Sequence, residues 1–157
     1  MAGKTSAEVL LDQIVRYSTT QWDSAGRLST RAGGIVSLAG SALVAGIALL
    51  LGSSFWSIAC RLSGFLTLGV AVFLAGHIVI SVGWDMPPDL DSSNLATAMG
   101  FSGLAVQQAL VLEYAGTCDE NDKWLAKTGF RVNVAIVLTV LGIIMFAASY
   151  ALGKAGI

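Results

Sequence analysis

The sequence predicts an all-α fold, an integral membrane helical bundle with three transmembrane helices and amphipathic cytoplasmic helices. Three apolar stretches, 32–51, 62–83 and 132–152, carry this prediction, and His77 is the only acidic or basic residue within them. A helix of about 20 residues crosses the roughly 30 Å of bilayer hydrocarbon. The composition agrees, because 55% of the residues are hydrophobic, 12% are charged and the mean hydropathy is +0.74. The length of 157 residues leaves room for a single membrane domain, 1–157.

The N-terminal segment, 6–31, is predicted to form an amphipathic cytoplasmic helix that precedes the first span, 32–51. It contains no proline, and apolar residues such as Leu10 and Ile14 recur at helical spacing between charged ones. Its charges are of both signs, so packing on the protein or on another subunit is a better expectation than binding to lipid.

Lysine and arginine orient the spans. Seven of them precede the first span or lie between the second and third, whereas only Arg61 and Lys154 flank the opposite ends. The positive-inside rule therefore places the N-terminus and the segment after the second span in the cytoplasm. The expected location is the bacterial inner membrane.

The segment between the second and third spans is harder to assign. Residues 94–113 are apolar enough for a fourth span, but spanning would export three cations, so a cytoplasmic helix over 93–116 is favoured. Pro87 and Pro88 separate this helix from the second span, 62–83. Acidic residues beginning at Asp119 suit a helix start, which predicts one helix over 119–153 that enters the third span.

Small residues repeat every four positions in the first two spans. We call Gly33, Ser37, Ser41 and Ala45 the first ladder, and Ser63, Thr67, Ala71 and Ala75 the second ladder. Small residues let helix backbones approach closely in lipid, so these ladders are predicted helix-packing faces. Packing of the first two spans against each other accounts for one ladder on each helix. Gly34 and Gly46 place small residues on further faces of the first span, which favours a homo-oligomer.

His77 is a possible intramembrane polar site. Ionisable residues inside spans are often functional, and imidazole titrates near physiological pH. No carboxylate accompanies it in a span, so a neutral, hydrogen-bonded structural histidine is the favoured alternative. The chain carries none of the common enzyme motifs, so no catalytic residue, cofactor or metal ligand is predicted. The net charge of −1 does not suggest a nucleic-acid partner.

The layout resembles that of small bacterial transmembrane effectors of antiphage defence, the Pycsar-type and related effectors with two to four spans. The resemblance rests on LSTRAGGIVSLAGSALVAGIALLL and NDKWLAKTGFRVNVAIVL. In such effectors a polar helix leads into a basic residue followed by alanine, here Arg31 and Ala32. An asparagine and a lysine precede the last span, here Asn121 and Lys127. The resemblance implies oligomerisation in the inner membrane and loss of membrane integrity.

This chain departs from that pattern because it has three predicted spans and no evident nucleotide-binding module. A sensor would have to be its own cytoplasmic helices or a separate protein. Two functional hypotheses remain. The chain is an oligomeric effector that forms a pore or ion channel, or otherwise disrupts the membrane, or it is an accessory or assembly subunit of a larger membrane complex. Its expected partners are the lipid bilayer, further copies of itself and a possible protein bound by the cytoplasmic helices.

Overall fold

The computed structural model describes residues 6–48, 55–80 and 103–155, and every one of them is helical. The helices are α1 (Ser6–Ala48), α2 (Phe55–Ile80) and α3 (Gly103–Ala155). Each contains a stretch long and apolar enough to cross a membrane, within Asp12–Ile47, Phe55–Ile80 and Val111–Ala155. The predicted all-α membrane fold with three candidate spans is therefore confirmed for the described ranges. The segment 94–113 was considered for a fourth span, and its residues 94–102 lie outside the described ranges.

The helices extend further than the sequence analysis placed them. α1 continues without a break from the predicted amphipathic helix into the first span and has 43 residues, about twice the number that a span needs. α2 begins at Phe55 rather than at residue 62, so Arg61 belongs to the helix and not to a connector.

α3 corrects the separation of a helix over 93–116 from one over 119–153. A single helix of 53 residues runs from Gly103 to Ala155. Its sequence contains no proline, and Asp119, Glu120 and Asp122 all lie exposed on its surface. The acidic residues therefore stay hydrated without ending the helix.

The sequence predicts one domain over 1–157, whereas the chain divides into two compact units. The polar unit comprises Met1–Gly26 and Gly83–Ala126, and the apolar unit comprises Arg27–Val82 and Lys127–Ile157. The sequence divides its charges between them, since all ten acidic residues fall in the polar unit together with three cations. The apolar unit holds the other six cations and no aspartate or glutamate.

Within the apolar unit, each helix buries one face at alternating spacings of three and four residues. The buried residues of α2 are Ser57, Arg61, Gly64, Leu68, Ala71, Ala75 and Ile78. Those of α3 are Thr128, Val132, Ala135, Thr139, Gly142, Phe146 and Ser149, and α1 contributes Ala32, Ile35, Ala39 and Gly46. This spacing averages 3.5 residues, the repeat that keeps one seam of a helix facing its neighbours in a bundle.

The apolar unit buries small side chains together with a few large ones, and many other large apolar side chains lie on its outside. One buried cluster contains Ala32, Ile35, Ala75, Ile78, Val132 and Ala135, and a second contains Ala39, Leu68 and Phe146. By contrast Val44, Leu66 and Phe73 are between 69% and 71% exposed. Close helix packing through small residues, with large apolar side chains turned outward, is the arrangement expected where the surroundings are lipid.

Candidate functional site

A buried glutamine organises the polar unit. Gln21 of α1 is only 4% exposed, and its Nε2 donates two hydrogen bonds to α3. One goes to the Cys118 carbonyl oxygen at 2.9 Å and the other to Asp122 Oδ1 at 2.8 Å. Both protons of the amide group are thereby used. Because the two acceptors fix which atom is the nitrogen, Gln21 Oε1 must point away from them.

Tyr17 completes this network one helical turn before Gln21. Its hydroxyl donates to Asp122 Oδ2 at 2.7 Å, so each oxygen of the Asp122 carboxylate accepts a bond from α1. The bond to the carboxylate, followed by burial, raises the pKa of Tyr17 above its ordinary value of 10.0. The phenol is therefore neutral at physiological pH and acts as a donor.

Cys118 is the thiol of this site. It is buried, and burial followed by the negative charge of Asp122 raises the pKa of the thiol above its usual value of 9.0. A thiol with a raised pKa is a poor nucleophile and a poor metal ligand. Within the described ranges, moreover, no group of three or more His, Cys, Asp or Glu side chains could hold a metal ion.

A groove of about 480 Å³ opens beside the network. It is lined by Gln13, Ile14, Tyr17, Ala115, Cys118, Asp119 and Asp122. Gln21 Oε1 is buried and has no hydrogen-bond partner. A buried acceptor of this kind is normally satisfied by an ordered water molecule. The arrangement therefore joins α1 to α3 as a polar clamp, with no activated nucleophile among these residues.

The first ladder lies on the outside of the apolar unit. Gly33, Ser37, Ser41 and Ala45 are all exposed, and a Cβ added at Gly33 would meet no atom within 4 Å. The assignment of this ladder to packing against the second span must therefore be corrected. A strict four-residue repeat rotates by about 40° at each step around a helix of 3.6 residues per turn. The seam that packs within the chain instead begins at Ala32 and follows the 3.5-residue repeat.

The second ladder is divided between two environments. Ala71 and Ala75 are fully buried in the seam of α2, whereas Ser63 is exposed and Thr67 is half-buried. The two hydroxyl groups bond to their own helix, Ser63 Oγ to the Ala59 carbonyl oxygen and Thr67 Oγ1 to that of Ser63, each at 2.9 Å. Such bonds satisfy a hydroxyl that faces lipid.

His77 lies on the exposed side of α2, outside the buried seam. A shallow groove of about 300 Å³ beside it is lined by Val72, Phe73, Gly76, His77 and Ile80. These residues all come from one helix. His77 falls in the last turn of α2. A functional role for this histidine stays a prediction.

Two polar features of the apolar unit were not predicted from the sequence. Ser57 and Ser149 exchange hydrogen bonds between α2 and α3, with Ser57 Oγ at 3.0 Å from the Ser149 carbonyl oxygen and Ser149 Oγ at 2.8 Å from that of Ser57. Arg61 is buried, with 9% of its surface exposed. The spacing of four, three and four residues from Ser57 through Arg61 and Gly64 to Leu68 was the signal in the sequence that could have found both.

No family model matches the chain, and comparison with curated proteins and with solved structures finds no similar protein.

Proposed function

We propose that this chain is an oligomeric membrane protein that forms a pore in the bacterial inner membrane or disrupts it, in the manner of a bacterial effector. The observation that carries the proposal is the outward position of the first ladder in the apolar unit. Gly34 and Gly40 lie beside it, and a Cβ added to either of them would meet no atom within 4 Å. Small residues therefore leave this face of α1 open to close approach by another helix over several turns.

A second copy of the chain is the occupant that suits this face. Lipid provides no hydrophobic drive for helix pairing, so helices associate where small residues allow close contact. Ser41 Oγ donates to the Ser37 carbonyl oxygen at 2.8 Å, which satisfies the hydroxyl without adding bulk to the surface. Repetition of a contact between unlike faces would close a ring of subunits around the membrane normal.

The charges of the apolar unit support a cytoplasmic N-terminus. Arg27, Arg31, Lys127 and Arg131 lie at one end of its spans, whereas Arg61, six residues into α2, and Lys154 lie toward the opposite end. The positive-inside rule assigns the end with more cations to the cytoplasm. The polar unit, which holds all the acidic residues, belongs on the same side as the N-terminus in this proposal.

A pair of glycine variants tests the proposal. Gly33 and Gly69 are both exposed, and neither has an atom within 4 Å of an added Cβ, but only Gly33 belongs to the first ladder. We expect Gly33→Ile to reduce the mass of the detergent-solubilised particle and to reduce dye leakage from liposomes. Gly69→Ile should leave both unchanged. A wild-type particle that is a monomer and never permeabilises liposomes would refute the proposal.

An accessory or assembly subunit is the second candidate. It is favoured by the excess of acidic residues in the polar unit, which suits a partner with a basic surface. Expression of the chain alone discriminates between the two candidates. Membrane depolarisation or toxicity supports an effector, whereas degradation that is prevented by a co-expressed partner supports an accessory subunit.

A further inference from the structure

Arg61 is a buried cation inside the apolar unit. Its side chain lies on the buried face of α2 between Ser57 and Gly64, and 9% of its surface is exposed. Ser57 is already bonded to Ser149. Among the described residues, no hydrogen bond or ion pair engages the guanidinium group. The five N–H donors of this group therefore lack an acceptor from the described part of the chain.

The sequence of the apolar unit offers Arg61 no acidic side chain. The apolar unit contains no aspartate or glutamate at any position from Arg27 to Val82 or from Lys127 to Ile157. A buried charge is costly unless an opposite charge or a set of hydrogen bonds compensates it. The described part of the apolar unit supplies neither, so an anion from outside the chain would compensate the charge.

The position of Arg61 along α2 indicates where that counter-charge lies. The residue is six positions after Phe55, about 9 Å along the helix axis. Side chains in helices lean toward the N-terminus, so the guanidinium group is biased toward the Phe55 end. Phe55 and Trp56 are 75% and 62% exposed there, with ring centroids 5.6 Å apart. Such aromatic residues are typical of the boundary between hydrocarbon and headgroups.

The start of α2 is also electropositive. Its first turn has no acidic residue, and the first backbone N–H groups of a helix carry a partial positive charge. A long arginine side chain that rises from within the hydrocarbon reaches the headgroup layer at this level. Phosphate is the anion present at that depth in every phospholipid bilayer, and guanidinium binds it through paired, charge-assisted hydrogen bonds.

We propose that Arg61 binds the phosphate group of a phospholipid at the Phe55 end of the apolar unit. The contact fixes one lipid per protomer and compensates the charge of the guanidinium group. Zwitterionic and anionic phospholipids both carry the required phosphodiester, whereas a galactolipid does not. The inference does not rest on oligomerisation, because all the residues involved belong to one protomer.

Native mass spectrometry of the full-length protein tests the proposal. The protein is purified in detergent, mixed with phosphatidylglycerol, phosphatidylcholine or monogalactosyl diacylglycerol, and the lipids retained per protomer are counted. We expect one tightly held lipid with either phospholipid and none with the galactolipid. Arg61→Gln should weaken phospholipid retention about tenfold or more, the effect of losing a charge-assisted hydrogen bond.

Lys154→Gln is the matched control, because it removes the same charge from an exposed position in the apolar unit. It should retain lipid as the wild type does. Inorganic phosphate at millimolar concentration should not displace the lipid, and displacement would identify a free anion rather than a headgroup as the ligand. Equal retention of phospholipid by Arg61→Gln, or of galactolipid by the wild type, would overturn the proposal.

A folding defect in Arg61→Gln does not remove the test. Arg61→Lys keeps the charge but loses the paired donors, and we expect it to hold the phospholipid more weakly than the wild type and more strongly than Arg61→Gln. Helicity measured by circular dichroism identifies which variants remain folded. The comparison of phospholipid with galactolipid uses only the wild-type chain.

Discussion

The ring of Phe146 in α3 occupies the space that a side chain on Gly64 of α2 would need. A Cβ built on Gly64 would lie 2.8 Å from two ring carbons of Phe146 and 3.2 Å from the Gly142 carbonyl oxygen. On the opposite side, a Cβ on Gly46 of α1 would lie 2.5 Å from Cζ of the same ring. One aromatic side chain is thus held between the bare backbones of two helices. Phe65 adds an edge-to-face contact, with ring centroids 5.0 Å apart.

Gly64→Ala should destabilise the apolar unit. The added methyl group meets the Phe146 ring, which cannot retreat toward α1 because Gly46 lies there. Overpacking of this kind costs about 1 to 3 kcal/mol. Unfolding by sodium dodecyl sulfate in mixed micelles measures the loss. Gly69→Ala is the control in the same helix, where an added Cβ meets nothing within 4 Å, and an equal loss there would contradict the explanation.

Phe146→Ala should be more damaging than the glycine variant. The ring is 8% exposed and belongs to the cluster with Ala39 and Leu68. Its removal leaves a cavity between three helices, and truncation of a buried phenylalanine costs about 3 to 5 kcal/mol. The same unfolding titration applies. Phe73→Ala removes a ring that is 71% exposed and should change the midpoint little.

The Ser57–Ser149 pair should show coupling in a double-mutant cycle. Each hydroxyl donates to the backbone carbonyl of the other residue, and the two hydroxyl oxygen atoms lie 3.1 Å apart. Hydrogen bonds between helices in membranes contribute about 0.6 kcal/mol on average and up to about 1.7. We expect Ser57→Ala and Ser149→Ala to be non-additive within that range. Ser63→Ala paired with Ser149→Ala should be additive, since Ser63 bonds only to its own helix.

The hydropathy pattern predicted the three spans well because it depends on composition over about 20 residues. It could not predict which face of each helix packs inside. The first ladder begins one residue after the seam that starts at Ala32, and both contain alanine and glycine. The two faces differ in their repeat, because only the seam follows the 3.5-residue spacing. That spacing is recognised only when the sequences of all three helices are compared.

The polar clamp could not be predicted from the sequence for a different reason. Tyr17 and Gln21 fit an amphipathic helical pattern, and nothing local reveals that Asp122 lies opposite them. The hydrogen bonds join residues 97 to 105 positions apart in the sequence. The burial of Arg61 could not be predicted from the sequence either. A cation just before an apolar stretch is interpreted as a residue that flanks the span, and only the structure shows that the helix begins earlier, at Phe55.

The titration of Tyr17 tests the clamp directly. Asp122 and burial favour the neutral phenol, so the pKa in the folded protein lies above 10.0. The stabilisation is therefore complete below the pKa of the unfolded chain and is lost as pH rises through the higher folded value. Absorbance at 295 nm, taken as the difference from Tyr17→Phe, isolates this residue from the other tyrosines. We expect its midpoint above 10.0 in the wild type.

Asp122→Asn should move the titration midpoint of Tyr17 back toward 10.0. The substitution removes the negative charge of the carboxylate that accepts the hydrogen bond from the Tyr17 hydroxyl. Asp119→Asn is the matched control. Asp119 lines the same groove but pairs with Lys123 at 2.5 Å on the exposed surface, and it does not contribute to the shift of Tyr17. A midpoint in Asp122→Asn that equals that of the wild type would show that Tyr17 does not bond to this carboxylate in solution.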